Sequence, residues 1–442
     1  MYFIGIDIGT SSICGVIYNS ANKTIESITK NNTAQIASSR AWEKIQDPAV
    51  IITIVTEIVQ EFISRYSDIQ AIGLTGQMHG MLYVDKNGDA VSPLYFWQDG
   101  RGNLPFRDNQ TYAEYLSAKT GYTLATGYGL VSHFYNQENA LVPAEAVKLC
   151  TIMDYAGMKM TGRETPLIDY SNGASLGFFD LKNKRFDVPA LEKIGISPVI
   201  LPEPGESAAL LGYYNQRIPV YSAIGDNQAS FLGSVSDVEH SVHITVGTGS
   251  QISVYSKEFI KIESLDTRPF PGGGYILVGA PLCGGQSFAL LKTFFDNTLT
   301  FFGQNVLLSH DMYEKMTEIS LNASNDLPVI ETCFNGTRLY PFKRGSISNI
   351  STTNFTPESL ISGFVMGIVS ELYHFYQLIP DEIKKDKTIW VGSGNGIKKN
   401  FLLMQALEAQ FDCKFTLSKC EEEAAMGACL CGMMQNQIEY SK

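Results

Sequence analysis

The sequence predicts an α/β protein built from two domains, and three observations carry that expectation. The chain has 442 residues, whereas a single hydrophobic core rarely organises more than about 250. A strand, a Gly-Thr turn and a returning strand occur twice, around Gly9 and again around Gly247, slightly more than half the chain apart. Helical apolar stripes alternate with strands instead of being segregated from them, as α/β architectures require.

The elements follow in order. Tyr2 to Ile8 reads as a strand, Gly9-Thr10 as a turn and Ile13 to Tyr18 as the return, which is a β-hairpin. Asp47-Pro48 supplies a cap and a first-turn proline, and Ile51, Ile54, Val55, Ile58, Val59, Phe62 and Ile63 then form one apolar stripe, so a helix runs to about Tyr66. The strand Ala71 to Thr75 leads into Gly76-Gln77-Met78-His79-Gly80 and on to Met81–Val84. Loop-like Gly233-Ser234-Val235-Ser236-Asp237 marks a boundary, giving expected domains of 1–235 and 236–442. In the second half, His243 to Val246, Gly247-Thr248-Gly249 and Gln251 to Tyr255 repeat the hairpin. Thr388 to Val391, the loop Gly392-Ser393-Gly394-Asn395-Gly396 and the stripe Ile397, Phe401, Met404, Leu407 and Phe411 make a strand, glycine loop and helix, a unit with ligand-binding geometry. The last helix opens on Glu421-Glu422-Glu423, whose charges suit the positive end of its dipole.

Composition narrows the function. Hydrophobic residues are 44% of the chain and aromatics 11%, enough for buried cores and against disorder as the main state. A formal charge of −12 repels phosphate backbones and anionic lipid, so neither nucleic acid nor a membrane surface is an expected partner. Eight cysteines show no zinc-ligand spacing. The opening MYFIGIDIGT has no basic region and carries Asp7 where a signal core would be apolar, and no stretch reaches the roughly 18 apolar residues of a membrane span. A reduced, cytoplasmic protein is the expectation.

Nucleotide chemistry is indicated without a P-loop. Gly157-x4-Gly162-Arg163-Glu164 lacks both the lysine and the Ser/Thr of that motif, and Ile397 breaks the dinucleotide pattern in the Gly392 loop. Asp7-Ile8-Gly9-Thr10-Ser11-Ser12 offers another route: glycine lets backbone approach an anion, amides and hydroxyls donate to phosphate oxygens, and Asp7 can hold Mg²⁺ through water. Val246-Gly247-Thr248-Gly249-Ser250 is a second copy. One such turn is ordinarily just a turn. Two copies plus Gly392-Ser393-Gly394 form a constellation that plain hairpins do not predict.

Those segments, with Gly225-Asp226-Asn227-Gln228-Ala229 and Gly284-Gly285, stand in the order found in FGGY carbohydrate kinases, which the chain resembles over essentially its whole length. The resemblance implies two ribonuclease-H-like (actin-like ATPase) domains with an active-site cleft between them, ATP and Mg²⁺ as cofactors, and a small-molecule sugar as substrate; it also admits a homodimer. Leu74 to Gly80 resembles the sugar-contacting loop of ketose kinases, and Phe96-Trp97-Gln98-Asp99-Gly100-Arg101 their second N-domain signature. The wording around Trp97, Ala125 to Gly129, Asn172 to Phe179 and Val391 to Gly394 is more similar to sedoheptulokinases than to xylulokinases or glycerol kinases. By resemblance, then, Asp226 is the catalytic base; Gln77, Met78, His79, Trp97, Asp226 and Asn227 bind sugar; Gly9, Thr10, Ser11, Ser12, Gly247, Thr248, Gly285, Gly392, Gly394 and Asn395 bind nucleotide; and Asp7 holds Mg²⁺. Phosphorylation of sedoheptulose at its terminal hydroxyl is the expected reaction, with a pentulokinase such as xylulokinase as the alternative and a non-catalytic actin-like ATP switch as the rival of another class. Cys14 and Ala289 stand where glycerol kinases place a basic residue and a Gln, which argues against glycerol.

Each position also has its own chemistry. A sugar hydroxyl must lose its proton as it attacks the γ-phosphoryl group, and Asp226 follows an apolar strand, Pro219 to Ile224, where a carboxylate could take that proton; the competing reading is an Asx turn or helix cap. His79 can donate to a sugar oxygen or simply be a satisfied structural histidine. Trp97 offers an apolar face to a sugar or packs in a core. Asp99 and Arg101 are expected to pair with each other and shape their loop.

Overall fold

A computed structural model describes residues 1–304, 309–320, 326–337, 340 and 342–434. The chain packs as two units. Unit 1 holds β1 (Tyr2–Ile8), β2 (Ser12–Asn19), β3 (Ile25–Asn31), α1 (Pro48–Arg65) and β4 (Ile69–Gly76), then α2 (Tyr170–Leu176), β5 (Leu210–Tyr214), β6 (Ile218–Tyr221), β7 (Ile224–Gly225) and α3 (Asp226–Ser234). Its main sheet runs β5-β6-β4-β1-β2-β3, with β7 also pairing β4. β1 is antiparallel to β2 and parallel to β4. The α1 stripe buries Ile51, Val55, Ile58, Val59 and Phe62 on this sheet. Asp47 caps that helix by accepting from the Ala49 amide, and Pro48 opens it, as the sequence predicts. The single strand expected before Asp226 is two: Ser222 interrupts it, its hydroxyl donating to the Glu206 carbonyl and accepting from the Ala209 amide.

Unit 2 holds β8 (Ser241–Val246), β9 (Ser250–Ser256), β10 (Tyr275–Gly279), α4 (Gly285–Phe301), α5 (Pro357–Leu378), β11 (Ile389–Ser393), α6 (Asn395–Lys398), α7 (Phe401–Phe411) and β12 (Phe415–Leu417). Strands run β10-β9-β8-β11-β12, with β8 antiparallel to β9 and parallel to β11. That is the plan of β3-β2-β1-β4 again, so the repeat read from the two glycine turns is a repeat of topology. The helix expected after the Gly392 loop is broken into α6 and α7 because Asn400 caps a fresh start, its side chain accepting from the Leu403 amide.

The packing units are not contiguous in sequence. The change falls between Ser236 and Asp237, but Arg268–Gly274 and residues 420–434, including α8 (Glu423–Met434), pack with unit 1, whereas the expected ranges 1–235 and 236–442 put both segments in the second domain. Missing side chains at Gly5 and Gly73 explain the second: a Cβ on either would lie 1.9 Å from a carbonyl oxygen of α8, Ala425 or Ala428. The sheet therefore accepts the backbone of α8 in direct contact. No disulfide joins the eight cysteines. Among the described residues, no helix is long and apolar enough to cross a membrane.

Candidate functional site

Three neighbouring parallel strands of unit 1 end together. Asp7 of β1 lies opposite Thr75 of β4, and Thr75 opposite Ile224 of β7, whose carbonyl accepts from the Thr75 hydroxyl at 2.8 Å. Asp226 is the first residue of α3. Gly225 occupies the cap position and no side chain caps the helix, so Asp226 is not spent on capping. The Asp226 carboxyl acts on Asp7. Burial pushes Asp7 up to about 7, and repulsion from Asp226 and then Glu422 adds to it. Burial likewise raises Asp226, while the Arg268 guanidinium and hydrogen bonds from Asn227 pull it back. Two carboxyls that resist ionising together suit a divalent cation, which would neutralise both. Among the described residues, no group of three or more His, Cys, Asp or Glu side chains could enclose a metal.

Around the first hairpin turn the side chains form a closed network. The Thr10 hydroxyl donates to Gln77 Oε1 (3.2 Å) and accepts from Trp97 Nε1 (2.9 Å). Gln77 Nε2 donates to Gln46 Oε1, and Gln46 Nε2 to the Thr10 carbonyl. Asn32 holds the Gly9 carbonyl at 2.9 Å. Trp97 is 46% exposed, so its ring is not core material. Ser11 is exposed and Ser12 partly so. Met78 is buried against β7: a Cβ on Gly225 would lie 2.7 Å from its sulfur. His79 has a positive φ of 75°, its ring stacks on Tyr128 at 4.6 Å, and its backbone amide and Nδ1 meet the hydroxyl and carbonyl of Ser175. Asn227 presents a buried Oδ1 with no hydrogen-bond partner among the described residues. Asp99 and Arg101 do pair, with Nε to Oδ1 at 2.6 Å, both buried, and Lys44 donating its amide to the same carboxylate. They shape the loop that carries Trp97.

In unit 2 the second turn is built from backbone. Gly285 donates its amide to the Gly247 carbonyl (3.0 Å) and Gln286 to that of Thr248 (2.9 Å), which sets the N-terminus of the 17-residue α4 against the turn. Gly394 approaches from the other side; a Cβ there would lie 2.5 Å from the Val246 carbonyl oxygen. Gly247, Thr248 and Asn395 are exposed, whereas Gly392 is buried in β11. The structure thus gathers Gly247, Thr248, Gly285 and Gly394 at one strand end beside a helix N-terminus, an arrangement that can cradle an anion with amides.

Gln46, Tyr128, Ser175, Arg268 and Glu422 are neighbours that sequence reasoning missed. Ser175 and Tyr128 lie within stretches whose wording resembles the family and Glu422 within the acidic run at the last helix, whereas Gln46 and Arg268 carry no such mark.

The N-terminal-domain profile of the FGGY family of carbohydrate kinases matches residues 2–233. The chain is similar to sedoheptulokinase of Mus musculus, 26% identical over 483 aligned positions covering 99% of this chain and 98% of that one. It is similar also to glycerol kinase of Aquifex aeolicus, 29% identical over 301 positions, 64% of this chain and 61% of that one. Among solved structures, xylulose kinase from Rhodospirillum rubrum superposes with a TM-score of 0.85 at 18% identity, covering 99% of this chain and 90% of that one. Plasmodium falciparum glycerol kinase with ADP gives 0.81, also at 18% identity, covering 100% and 90%. These likenesses show the fold, an actin-like ATPase architecture of α/β units.

Proposed function

Because the chain belongs to the FGGY family of carbohydrate kinases, we propose that it transfers the γ-phosphoryl group of ATP to the terminal hydroxyl of a ketose, with sedoheptulose the preferred acceptor. The observation that supports this best is Asp226, a carboxylate at the end of β7 that caps no helix and whose basicity is raised by burial. As the sugar oxygen bonds to phosphorus and the bond to the ADP oxygen breaks, Asp226 takes the hydroxyl proton. Asn227 Oδ1, buried and unsatisfied, accepts from a sugar hydroxyl. Trp97 offers its exposed ring, His79 a polar edge, Met78 closes the apolar side, and Gln77, buried with its amide engaged by Thr10 and Gln46, supports the sugar loop through the Thr10–Trp97 network.

Each unit offers its own phosphate-binding turn: Gly9 to Ser12, of which Ser11 is exposed, and the group Gly247, Thr248, Gly285, Gly394 and Asn395, where the Gly247 and Gly285 amides hold the turn in shape and the exposed Thr248 and Asn395 are the donors, Gly392 setting the path of their strand. Asp7, with Asp226, would hold Mg²⁺ through water; when bound, the ion neutralises charge on the phosphoryl oxygens.

Sedoheptulose rests on the near full-length similarity to a sedoheptulokinase. A coupled ADP-release assay over sedoheptulose, xylulose, ribulose and glycerol tests it. If xylulose or ribulose is better by tenfold in kcat/KM, about 1.4 kcal/mol, the acceptor is a pentulose. ATP turnover that no sugar stimulates would instead mark an actin-like switch.

A further inference from the structure

We propose that α2, the short helix Tyr170–Leu176, is a bracket that positions both the proton acceptor and the sugar loop, Ser171 and Asn172 fixing the approach to Asp226 and Ser175 fixing His79. The inference rests on the reading of Asp226 as base.

β7 is only two residues long and has a strand neighbour, β4, on one edge. In an extended chain the polar groups of alternate residues face the same side. The Ile224 carbonyl faces β4 and is met by the Thr75 hydroxyl at 2.8 Å. The Ala223 carbonyl and Gly225 amide face the opposite side, where a second strand would ordinarily satisfy them. Two consecutive side chains of α2 replace that strand. Asn172 Nδ2 donates to the Ala223 carbonyl at 2.7 Å, and the Gly225 amide donates to Ser171 Oγ at 2.9 Å. The approach to Asp226 is therefore pinned by side chains instead of a ladder.

The direction of the Ser171 hydrogen bond is also set. A hydroxyl carries one proton, and Ser171 gives it to Asp169, whose carboxylate also accepts the Ser171 amide at 2.7 Å. The Ser171 lone pairs are then left to accept from Gly225. Asp169, Ser171 and Asn172 are all at most 1% exposed, so water does not compete for these bonds.

One turn later the same helix holds the sugar loop. His79 sits in left-handed backbone geometry, φ 75°, which a histidine adopts at a cost and keeps only when its surroundings impose it. Ser175 imposes it: its hydroxyl accepts the His79 amide at 3.2 Å while donating to the Asn172 carbonyl at 2.8 Å, and its carbonyl lies 2.9 Å from His79 Nδ1. Serine hydroxyls at positions 171 and 175 thus hold two different parts of the candidate site from one rigid element.

The test is a split between kinetic constants, with sedoheptulose and xylulose as acceptors. Ser171→Ala is expected to lower kcat about ten- to hundredfold with KM for sugar and ATP within twofold. Ser175→Ala is expected to raise sugar KM about five- to tenfold with kcat little changed. Ser171→Thr, which keeps the hydroxyl, is expected to recover most of the lost kcat. In an Asp226→Asn background the Ser171→Ala effect should vanish, because there is no base left to misplace. An equal fractional loss in that background, or a Ser171→Ala enzyme with kcat within twofold of the parent, overturns the bracket. Should Ser171→Ala melt too low to assay, Asn172→Ala takes its place in the cycle, and the same two outcomes overturn the bracket. An Asp226→Asn enzyme that keeps more than half its kcat overturns the base reading itself, a result visible before the cycle is run.

Discussion

The two glycine turns share a strand plan but are held in opposite ways. Around Gly9-Thr10, in unit 1, the turn is anchored by long polar side chains brought from far along the sequence: Asn32, Gln46, Gln77 and Trp97. Around Gly247-Thr248-Gly249, in unit 2, it is anchored by the backbone of Gly285 and Gln286 and by the close approach of Gly394. A side-chain network presents donors and acceptors at fixed, individual positions, which is what distinguishing one sugar from another requires. A glycine-lined turn presents amides and little else, which suits a phosphate common to every reaction of a kinase. On the proposed function, the same topology would support one selective surface and one generic surface, and the difference would lie in which residues were left without side chains.

The largest expected effect concerns Asp226, the residue proposed to take the proton. Asp226→Asn keeps the shape but cannot take a proton, so kcat should fall roughly 10²- to 10⁴-fold with KM for ATP little changed. Since burial holds Asp226 above the ordinary carboxylate range, kcat/KM of the parent enzyme should decline as pH falls toward that raised value, because only the ionised form accepts a proton. A flat profile down to pH 4 would remove Asp226 from the reaction.

Glycine substitutions test the backbone character of the second turn. Gly394 has φ 81° and no room for a Cβ, so Gly394→Ala should cost about 1–3 kcal/mol of stability besides raising KM for ATP. Gly247 is different: a Cβ there meets nothing within 4 Å. Gly247→Ala should leave the melting temperature unchanged yet raise KM for ATP about tenfold, because the added methyl stands where a phosphate would approach. If both constants are unchanged, the turn is not a nucleotide cradle.

Asp7 links the comparison to pH. Its carboxyl rises from 3.8 to about 7 on folding, so the proton is favoured in the native state. The stability it contributes is fully present below 3.8 and is lost as pH climbs through about 7. A cation that neutralises the carboxylate reverses that loss. Mg²⁺ should therefore raise the melting temperature more at pH 8 than at pH 6, by about a degree or two, and Asp7→Asn should abolish the difference. Equal shifts at both pH values would place the ion elsewhere.

Much of this was legible in the sequence wherever the cause is local. Asp47-Pro48 and the stripe after it specify α1 without reference to anything distant, and strand-turn-strand wording specifies both hairpins. Thr10, Gln77 and Trp97 could each be singled out as candidates, but that they touch depends on β1 and β4 being parallel neighbours. Gln46 carries no local mark of its part in this network. The return of α8 to unit 1 is set by the small residues facing Gly5 and Gly73, and small residues permit a close approach without saying which surface will be approached. Ser171 and Ser175 were visible only as letters of the sequence, Ser175 within a family-like stretch; their work on β7 and His79 required the topology.

The smallest expected effect separates the two surfaces most finely. Thr10 belongs by sequence to the nucleotide turn, yet its hydroxyl is engaged by Gln77 and Trp97, which belong to the sugar loops. Trp97→Phe keeps an apolar ring and removes only the indole donor, leaving the Thr10 oxygen short of one hydrogen bond. A single neutral hydrogen bond contributes about 0.5–1.5 kcal/mol, so sugar kcat/KM should fall roughly 2- to 10-fold. Trp97→Ala should fall further, because the exposed ring proposed to meet the acceptor goes too. KM for ATP should stay level in both, since the amides of Gly9 to Ser12 are untouched. If Trp97→Phe raises KM for ATP as much as KM for sugar, Thr10 is anchored for the nucleotide's sake, and the division into a side-chain surface for sugar and a backbone surface for phosphate does not hold in unit 1.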